Sequence, residues 1–296
     1  MIDRRTFLAG VGALPALLAC SRAGSGVPAG AGAGGTLRRI GIQLYSLRDD
    51  ARRDLEATIA GIAEIGYDDV ELLGSFGNFG AAPAQMRALL DRNGLRAPST
   101  HVASSALDDL ERTLDDAATI GHEYVTVASL ALPERPSLDD YRRWADRFNE
   151  AGRRARERGI WLAFHNHAGD QRPIDGATPY DVFVERTDAT VVRHQLDTGN
   201  CAMAGHDPLT YVQRFGSRYW TFHIKDVPRL GATNDTELGN GIIDFPRLLA
   251  AIDEPDRKHF FVEQETYPGT PFESVRRDYE YMRRLWIPRG ADDPGR

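Results

Sequence analysis

From residue 38 onward two rhythms alternate along the chain. Short runs of apolar, β-branched and aromatic residues are followed by longer stretches in which apolar residues return every three or four positions. The first rhythm suits strands buried on both faces, the second amphipathic helices packed outside them. The runs predict strands over 39–45, 68–73, 96–102, 124–130, 161–167, 192–200, 219–226 and 259–266. Helices are predicted over 53–65, 83–93, 107–120, 139–158, 178–187, 207–215, 245–252 and 272–285. Gly66, Gly94 and Gly121 stand just past three of these helices, where a left-handed residue ends a helix without penalty. Asp139 and Asp140 place negative charge at the start of the fourth. Eight strand–helix pairs at intervals of roughly 30 residues predict a single closed (β/α)8 TIM barrel. A doubly wound open sheet would want a Gly-rich phosphate loop after its first strand, and Gln43-Leu-Tyr-Ser-Leu-Arg48 is not one.

The ends read differently. Arg4 and Arg5 precede an uncharged stretch from Thr6 to Ala19 that is too short to span a bilayer. Arg-Arg-Thr-Phe-Leu resembles a bacterial twin-arginine export signal, and Leu17-Leu18-Ala19-Cys20 resembles a lipobox, in which Cys20 would carry lipid. A plain twin-arginine signal with an incidental cysteine is the alternative. The expected organisation is an export signal over 1–19, a flexible Gly/Ala linker over 20–37, the barrel over 38–288 and a disordered tail over 289–296. The expected location is outside the cytoplasm, periplasmic or anchored to a membrane through Cys20. Beyond Cys20 only Cys201 remains, so no internal disulfide is expected, and Cys201 reads as a small buried residue. A hydrophobic content of 42% supports a sizeable core, and a formal net charge of −7 argues against a nucleic-acid partner.

Chemistry concentrates where the last four strands end. WLAFHNH (161–167), VRHQLDTGN (192–200), YWTFHIKD (219–226) and HFFVEQET (259–266) each begin apolar and finish in His, Asp or Glu. In a TIM barrel those C-terminal ends converge on one mouth. By the period of two, His165 and His167 share a face, as do His223 with Lys225 and Glu263 with Glu265. Two carboxylates on one inward face cost several kcal/mol unless a cation or partner compensates them. Taken singly, Asp197 also reads as a helix cap, and His223 as a structural histidine. Together Asp197, His223, Glu263 and His165 offer a mixed N/O set for one divalent ion: Mn²⁺ first, with Co²⁺, Zn²⁺ or Mg²⁺ as alternatives.

In this order the segments IGIQLYSLRD, GYDDVELLG, STHV, FHNH, LDTGN, HIKD, GNGIIDF and VEQE resemble the xylose isomerase-like TIM barrels, often called sugar phosphate isomerase/epimerases. The resemblance covers about residues 38–286, almost the whole predicted barrel. It implies a divalent cation held by a Glu from strand five, an Asp from strand six, a His from strand seven and a Glu from strand eight. Asp197, His223 and Glu263 match the last three. Asn200 stands where epimerases often carry a substrate-contacting His, and Arg229 matches an Arg that contacts substrate. Strand five departs: with Asn166 on the corresponding family Asn, Ala163 falls on the metal-binding Glu, leaving His165 or water as fourth ligand. The His-Asn-His run is instead similar to the His-rich strand of inosose dehydratase-type members.

The expected activity is a divalent-metal-dependent isomerase or epimerase acting on a sugar or keto-sugar through an enediolate. Glu263 or Glu265 would take the α-proton, His165 or His167 would return it, and Lys225 would stabilise the oxyanion or, as an equal alternative, form a salt bridge to Asp226 or Glu265. Gln43, Glu71, His101, Asn166, Asn200 and Arg229 are the candidate substrate contacts, with structural hydrogen bonding an equal alternative for Glu71 and His101. A keto-sugar or inosose dehydratase on the same site is one alternative, and a non-catalytic sugar-binding lipoprotein another. An endonuclease IV-like role is disfavoured by acidic charge, the export signal and the lack of further metal ligands.

Overall fold

The eight apolar runs form eight parallel strands: β1 (Gly41–Gln43), β2 (Asp69–Leu73), β3 (Arg96–Ala103), β4 (Tyr124–Ser129), β5 (Trp161–His165), β6 (Val192–Asp197), β7 (Tyr219–Ile224) and β8 (His259–Val262). Each pairs with the next, and β8 pairs with β1, closing the barrel. This computed structural model describes residues 39–286; the predicted export signal, the linker with Cys20 and the 289–296 tail lie outside the described residues. No helix among the described residues is long and apolar enough to cross a membrane.

Among the described residues ten α-helices accompany the strands: α1 (Arg48–Arg53), α2 (Leu55–Ile65), α3 (Pro83–Arg92), α4 (Leu110–Ile120), α5 (Leu138–Glu157), α6 (Pro179–Arg186), α7 (Thr198–Met203), α8 (Pro208–Phe215), α9 (Phe245–Ala250) and α10 (Pro271–Trp286). The predicted 53–65 helix is preceded by a separate short one. Asp54 is extended (φ −155°) between α1 and α2, and its carboxylate accepts the Ala57 N–H at 2.9 Å. Strand one stops early because the Gln43 side chain accepts the Tyr45 N–H at 3.0 Å and opens a 3-10 turn over Leu44–Leu47. Strand eight ends at Val262, so Glu263 and Glu265 ride on the segment just beyond it. Helix α7 has no counterpart among the predicted elements. Six residues are too few to display a helical period.

Alternation on the strands sorts the side chains. On β5, Leu162 and Phe164 face the helices, and Phe164 packs against Phe148 of α5 and Phe183 of α6 with ring centroids 5.9 and 4.7 Å apart. Burying each such ring contributes about 1.5–3 kcal/mol. Ala163 and His165 take the opposite parity and are buried inside the barrel. On β7, Phe222 stacks on Phe260 of β8 at 5.0 Å, while Thr221 and His223 have the inward parity.

The N-terminal mouth is closed by paired charge. Asp69, 3% exposed, accepts two hydrogen bonds from Arg96 at 3.0 and 2.9 Å and lies 3.4 Å from Arg39 and 3.7 Å from His259. Beside this group the Arg193 guanidinium is held between the rings of Trp161 and Trp220, 3.6 and 3.3 Å from their centroids, and donates to the Tyr124 hydroxyl at 2.7 Å.

Candidate metal centre

Asp197 is the last residue of β6 and the cap of α7 at once. One carboxylate oxygen, Oδ1, accepts the Asn200 N–H at 2.7 Å, as a cap does. The other, Oδ2, accepts from Asn200 Nδ2 at 3.0 Å and lies 3.7 Å from His223 Nδ1. Register places Asp197 directly beside His223 on β7. His223 Nδ1 in turn meets Glu263 Oε2 at 2.7 Å. Asp197, His223 and Glu263 each offer a ligand atom within 4.8 Å of the others, and all three are buried. Two carboxylates and one imidazole form a mixed N/O donor set suited to Mn²⁺, Co²⁺, Zn²⁺ or Mg²⁺, so the residues present fit such an ion.

Lys225 enters the same space. Its Nζ lies 3.1 Å from Glu263 Oε2, 2.6 Å from Glu265 Oε1 and 3.5 Å from Asp197 Oδ2. Burial alone would lower its pKa, but Asp197, Glu263 and Glu265 outweigh it and hold the ammonium well above the ordinary lysine value. Gly199 is required for this approach, because a Cβ there would collide with Lys225 Cγ and Cδ. Glu263 is moved the other way. Burial opposes its ionisation, yet Lys225 and His223 keep it well below the usual carboxylate range.

Beneath the cluster sits a layer of buried polar groups around Glu71. Its Oε1 accepts from Ser99 Oγ at 2.5 Å and from Gln195 Nε2 at 2.8 Å; its Oε2 accepts from Gln43 Nε2 at 2.7 Å and closely meets His223 Nε2. Burial would raise the Glu71 pKa, but His101 and His223 prevail and bring it down to about 2. A carboxylate on the far nitrogen orients a ligating imidazole, and Glu71 is placed to do this for His223.

The predicted site residues are thus divided between layers. Asp197, His223, Glu263, Lys225 and Glu265 come together, and Asn200 touches them through Asp197. His165 is buried next to this group, with Nε2 4.0 Å from Asp197 Oδ2, but its ligand atom groups with those of His101 and His223 instead. His167 is exposed, its ring 4.7 Å from that of His165. Glu71 and Gln43 are among the residues expected to contact substrate. Both are fully buried, and their hydrogen-bonding groups serve each other, His223 and the turn after β1. Asn166, also fully buried, clamps β5 to β6 through Asp197 N at 2.8 Å and Asp197 O at 3.3 Å. His101 turns Nε2 toward Gln195 at 2.7 Å and stacks on His223 with centroids 5.0 Å apart. Arg229 is exposed and donates to Leu230 O at 3.4 Å, apart from the cluster.

Gln195 and Ser99 went unpredicted. The signal existed: each lies two residues before a predicted site residue, Asp197 or His101, and so shares its inward face. A groove of about 620 Å³ lies outside the barrel wall between the Gly74–Pro83 segment and α4, and none of the predicted site residues lines it.

Comparison with known proteins agrees with this fold. The family model described as "Xylose isomerase-like TIM barrel" matches residues 59–285. Inosose dehydratase of Lacticaseibacillus casei is 28% identical over 173 residues, 52% of this chain and 57% of that protein, so the match spans little more than half of that relative's length. Inosose dehydratase of Geobacillus kaustophilus (strain HTA426) is 24% identical over 272 residues, 78% of this chain and 87% of that protein. A solved structure of a sugar phosphate isomerase/epimerase from Parabacteroides distasonis ATCC 8503 superposes with a TM-score of 0.72 at 22% identity, covering 84% of this chain and 99% of the other. With a closed barrel, buried acid and imidazole at its C-terminal mouth and a family match across most of its length, the chain belongs to the xylose isomerase-like TIM barrel family.

Proposed function

We propose that the protein is a divalent-metal-dependent enzyme that removes the proton α to the carbonyl of a sugar or keto-sugar, with loss of water as the following step. The observation that carries this reading is the buried convergence of Asp197, His223 and Glu263. An ion held there, Mn²⁺ by preference, would polarise a substrate carbonyl and its neighbouring hydroxyl and stabilise the enediolate charge. Glu263 or Glu265 is the carboxylate that accepts the carbon-bound proton.

What happens next depends on the groups facing those carboxylates. Strand five brings His165 beside the cluster and no second carboxylate, so the site is asymmetric. Lys225 is the proton donor in position. Its ammonium, within 3.1 Å of Glu263 and 2.6 Å of Glu265, protonates the departing β-hydroxyl as the C–O bond breaks, and the carboxylate then returns the proton to the amine. Water is lost, and the enol left behind ketonises. Likeness to inosose dehydratases supports this outcome. A second reading, isomerisation or epimerisation, is favoured by His165, an imidazole beside the cluster able to hand a proton back to carbon.

Proton NMR in D₂O with Mn²⁺ and inosose or other keto-sugars separates the readings. A new deoxy-keto product supports dehydration. Deuterium at the α-carbon of a rearranged sugar supports the isomerase. Binding without solvent exchange and without response to chelators would make the protein a silent sugar binder. The twin-arginine motif further supports an exported location, which we propose with the activity.

A further inference from the structure

Gln195 is fully buried, and its surroundings leave its amide one orientation. Glu71 beside it can only accept hydrogen bonds. Glu71 Oε1 already takes the Ser99 hydroxyl, and Oε2 takes Gln43 Nε2 and faces His223 Nε2. A Gln195 amide turned the other way would press its carbonyl oxygen against this carboxylate. So Gln195 Nε2 faces Glu71, at 2.8 Å, and Oε1 faces away. There Oε1 meets two ring nitrogens, His101 Nε2 at 2.7 Å and His165 Nδ1 at 2.9 Å. A carbonyl oxygen has two lone pairs and no hydrogen, so both nitrogens must donate.

For His165 the consequence is specific. A neutral ring with its hydrogen on Nδ1 leaves Nε2 bare. That nitrogen points to Asn200 Nδ2, a donor at 3.5 Å, and toward Asp197 Oδ2 at 4.0 Å. We propose that Gln195, oriented by Glu71, is a positioning residue that holds His165 in the Nδ1–H tautomer and presents its bare Nε2 to the cluster as proton acceptor or ligand. The catalytic consequence rests on the proposed metal-dependent proton transfer; the tautomer does not. One amide also ties β3, β5 and β6 into a single hydrogen-bonded unit, with β2 joined through Glu71.

Long-range ¹H–¹⁵N correlation of the imidazoles in the metal-free full chain above pH 7 tests this, with the His165 signals identified by their loss in His165→Phe. The expected wild-type pattern is a protonated Nδ1 and an unprotonated Nε2. In Gln195→Met, which keeps the length but removes the acceptor, the two His165 nitrogens should shift toward averaged values. A wild-type His165 protonated at Nε2, or a folded Gln195→Met with unchanged His165 signals, overturns the proposal. Should Gln195→Met fail to fold, the wild-type spectrum alone still decides. The reading needs neither ion nor substrate. If the expected tautomer is found while no keto-sugar exchanges its α-proton, the positioning role stands and the proposed function falls.

Discussion

The two mouths of this barrel are both rich in charge, yet they treat it in opposite ways. At the N-terminal mouth Asp69 is met by Arg96, Arg39 and His259, and Arg193 lies between two tryptophans. Each of these charges has a partner in the protein, a carboxylate or an aromatic face, and the pairing holds the strands in place. At the C-terminal mouth Asp197, Glu263 and Glu265 gather around one lysine, with His223 between Glu71 and Glu263. Here negative groups outnumber the positive ones supplied by the protein. A buried excess of like charge is costly unless something else compensates it, which is why such crowding marks function more than stability.

The contrast can be broken most directly at its acidic end. Glu263→Gln and Asp197→Asn should each lower Mn²⁺ affinity by at least 100-fold in equilibrium dialysis, while far-ultraviolet circular dichroism is retained. Wild-type protein should gain about 2.7 kcal/mol of unfolding stability when the ion is present at 100 times its Kd, and neither variant should show that gain. An unaltered affinity in both variants would mean that the ion, if any, sits elsewhere.

Asp69→Asn makes the complementary test. It strips Arg96 and His259 of their shared anion. Because the arginine is partly solvent-exposed, the loss should be only about 2 kcal/mol in urea unfolding, with Mn²⁺ affinity unchanged. If ion binding fell as far as stability, the two mouths would not be separable in function.

A fourth carboxyl sharpens the rule that burial without compensation costs stability. Asp278 on α10, 1% exposed, accepts the Leu238 N–H at 2.8 Å through Oδ1, while Oδ2 has no partner. Burial, with Glu237 and Asp235 nearby, pushes its pKa up to about 8. A carboxyl pKa raised by folding favours the protonated native state. Its contribution is therefore complete below the unfolded value near 4 and is lost as pH rises through 8. Asp278→Asn keeps the Oδ1 acceptor and cannot ionise, so it should be more stable than wild type at pH 8 by at least about 2 kcal/mol, with the difference vanishing near pH 4. Equal pH dependence of the two melting curves would refute this assignment.

Much of the architecture was readable from pattern alone. A strand buried on both faces must be apolar for five or six residues, and an outer helix must repeat its apolar face, so eight pairs declare themselves without a template. Departures occurred where side chains, rather than periodicity, set the backbone. Gln43 ended β1, Asp54 separated α1 from α2, and Asp197 started α7. The chemistry at the strand ends was also visible, since Asp197, His223, Glu263 and Lys225 follow apolar runs on inward parity. What each polar residue does inside the barrel was not.

The linear order of residues therefore settled which types enter the barrel and from which strand, because the period of two is a local property of extended backbone. Whether a residue reaches the mouth or the layer beneath depends on stagger between strands that are far apart in the chain. Glu71 and His223 are separated by 152 positions and meet only after closure. Tertiary structure alone gave Glu71 its buried partners Gln195, Ser99 and Gln43. The physical reason is that hydrogen bonding in a closed interior is decided by three-dimensional neighbours, each acceptor taking whichever donor the barrel brings to it.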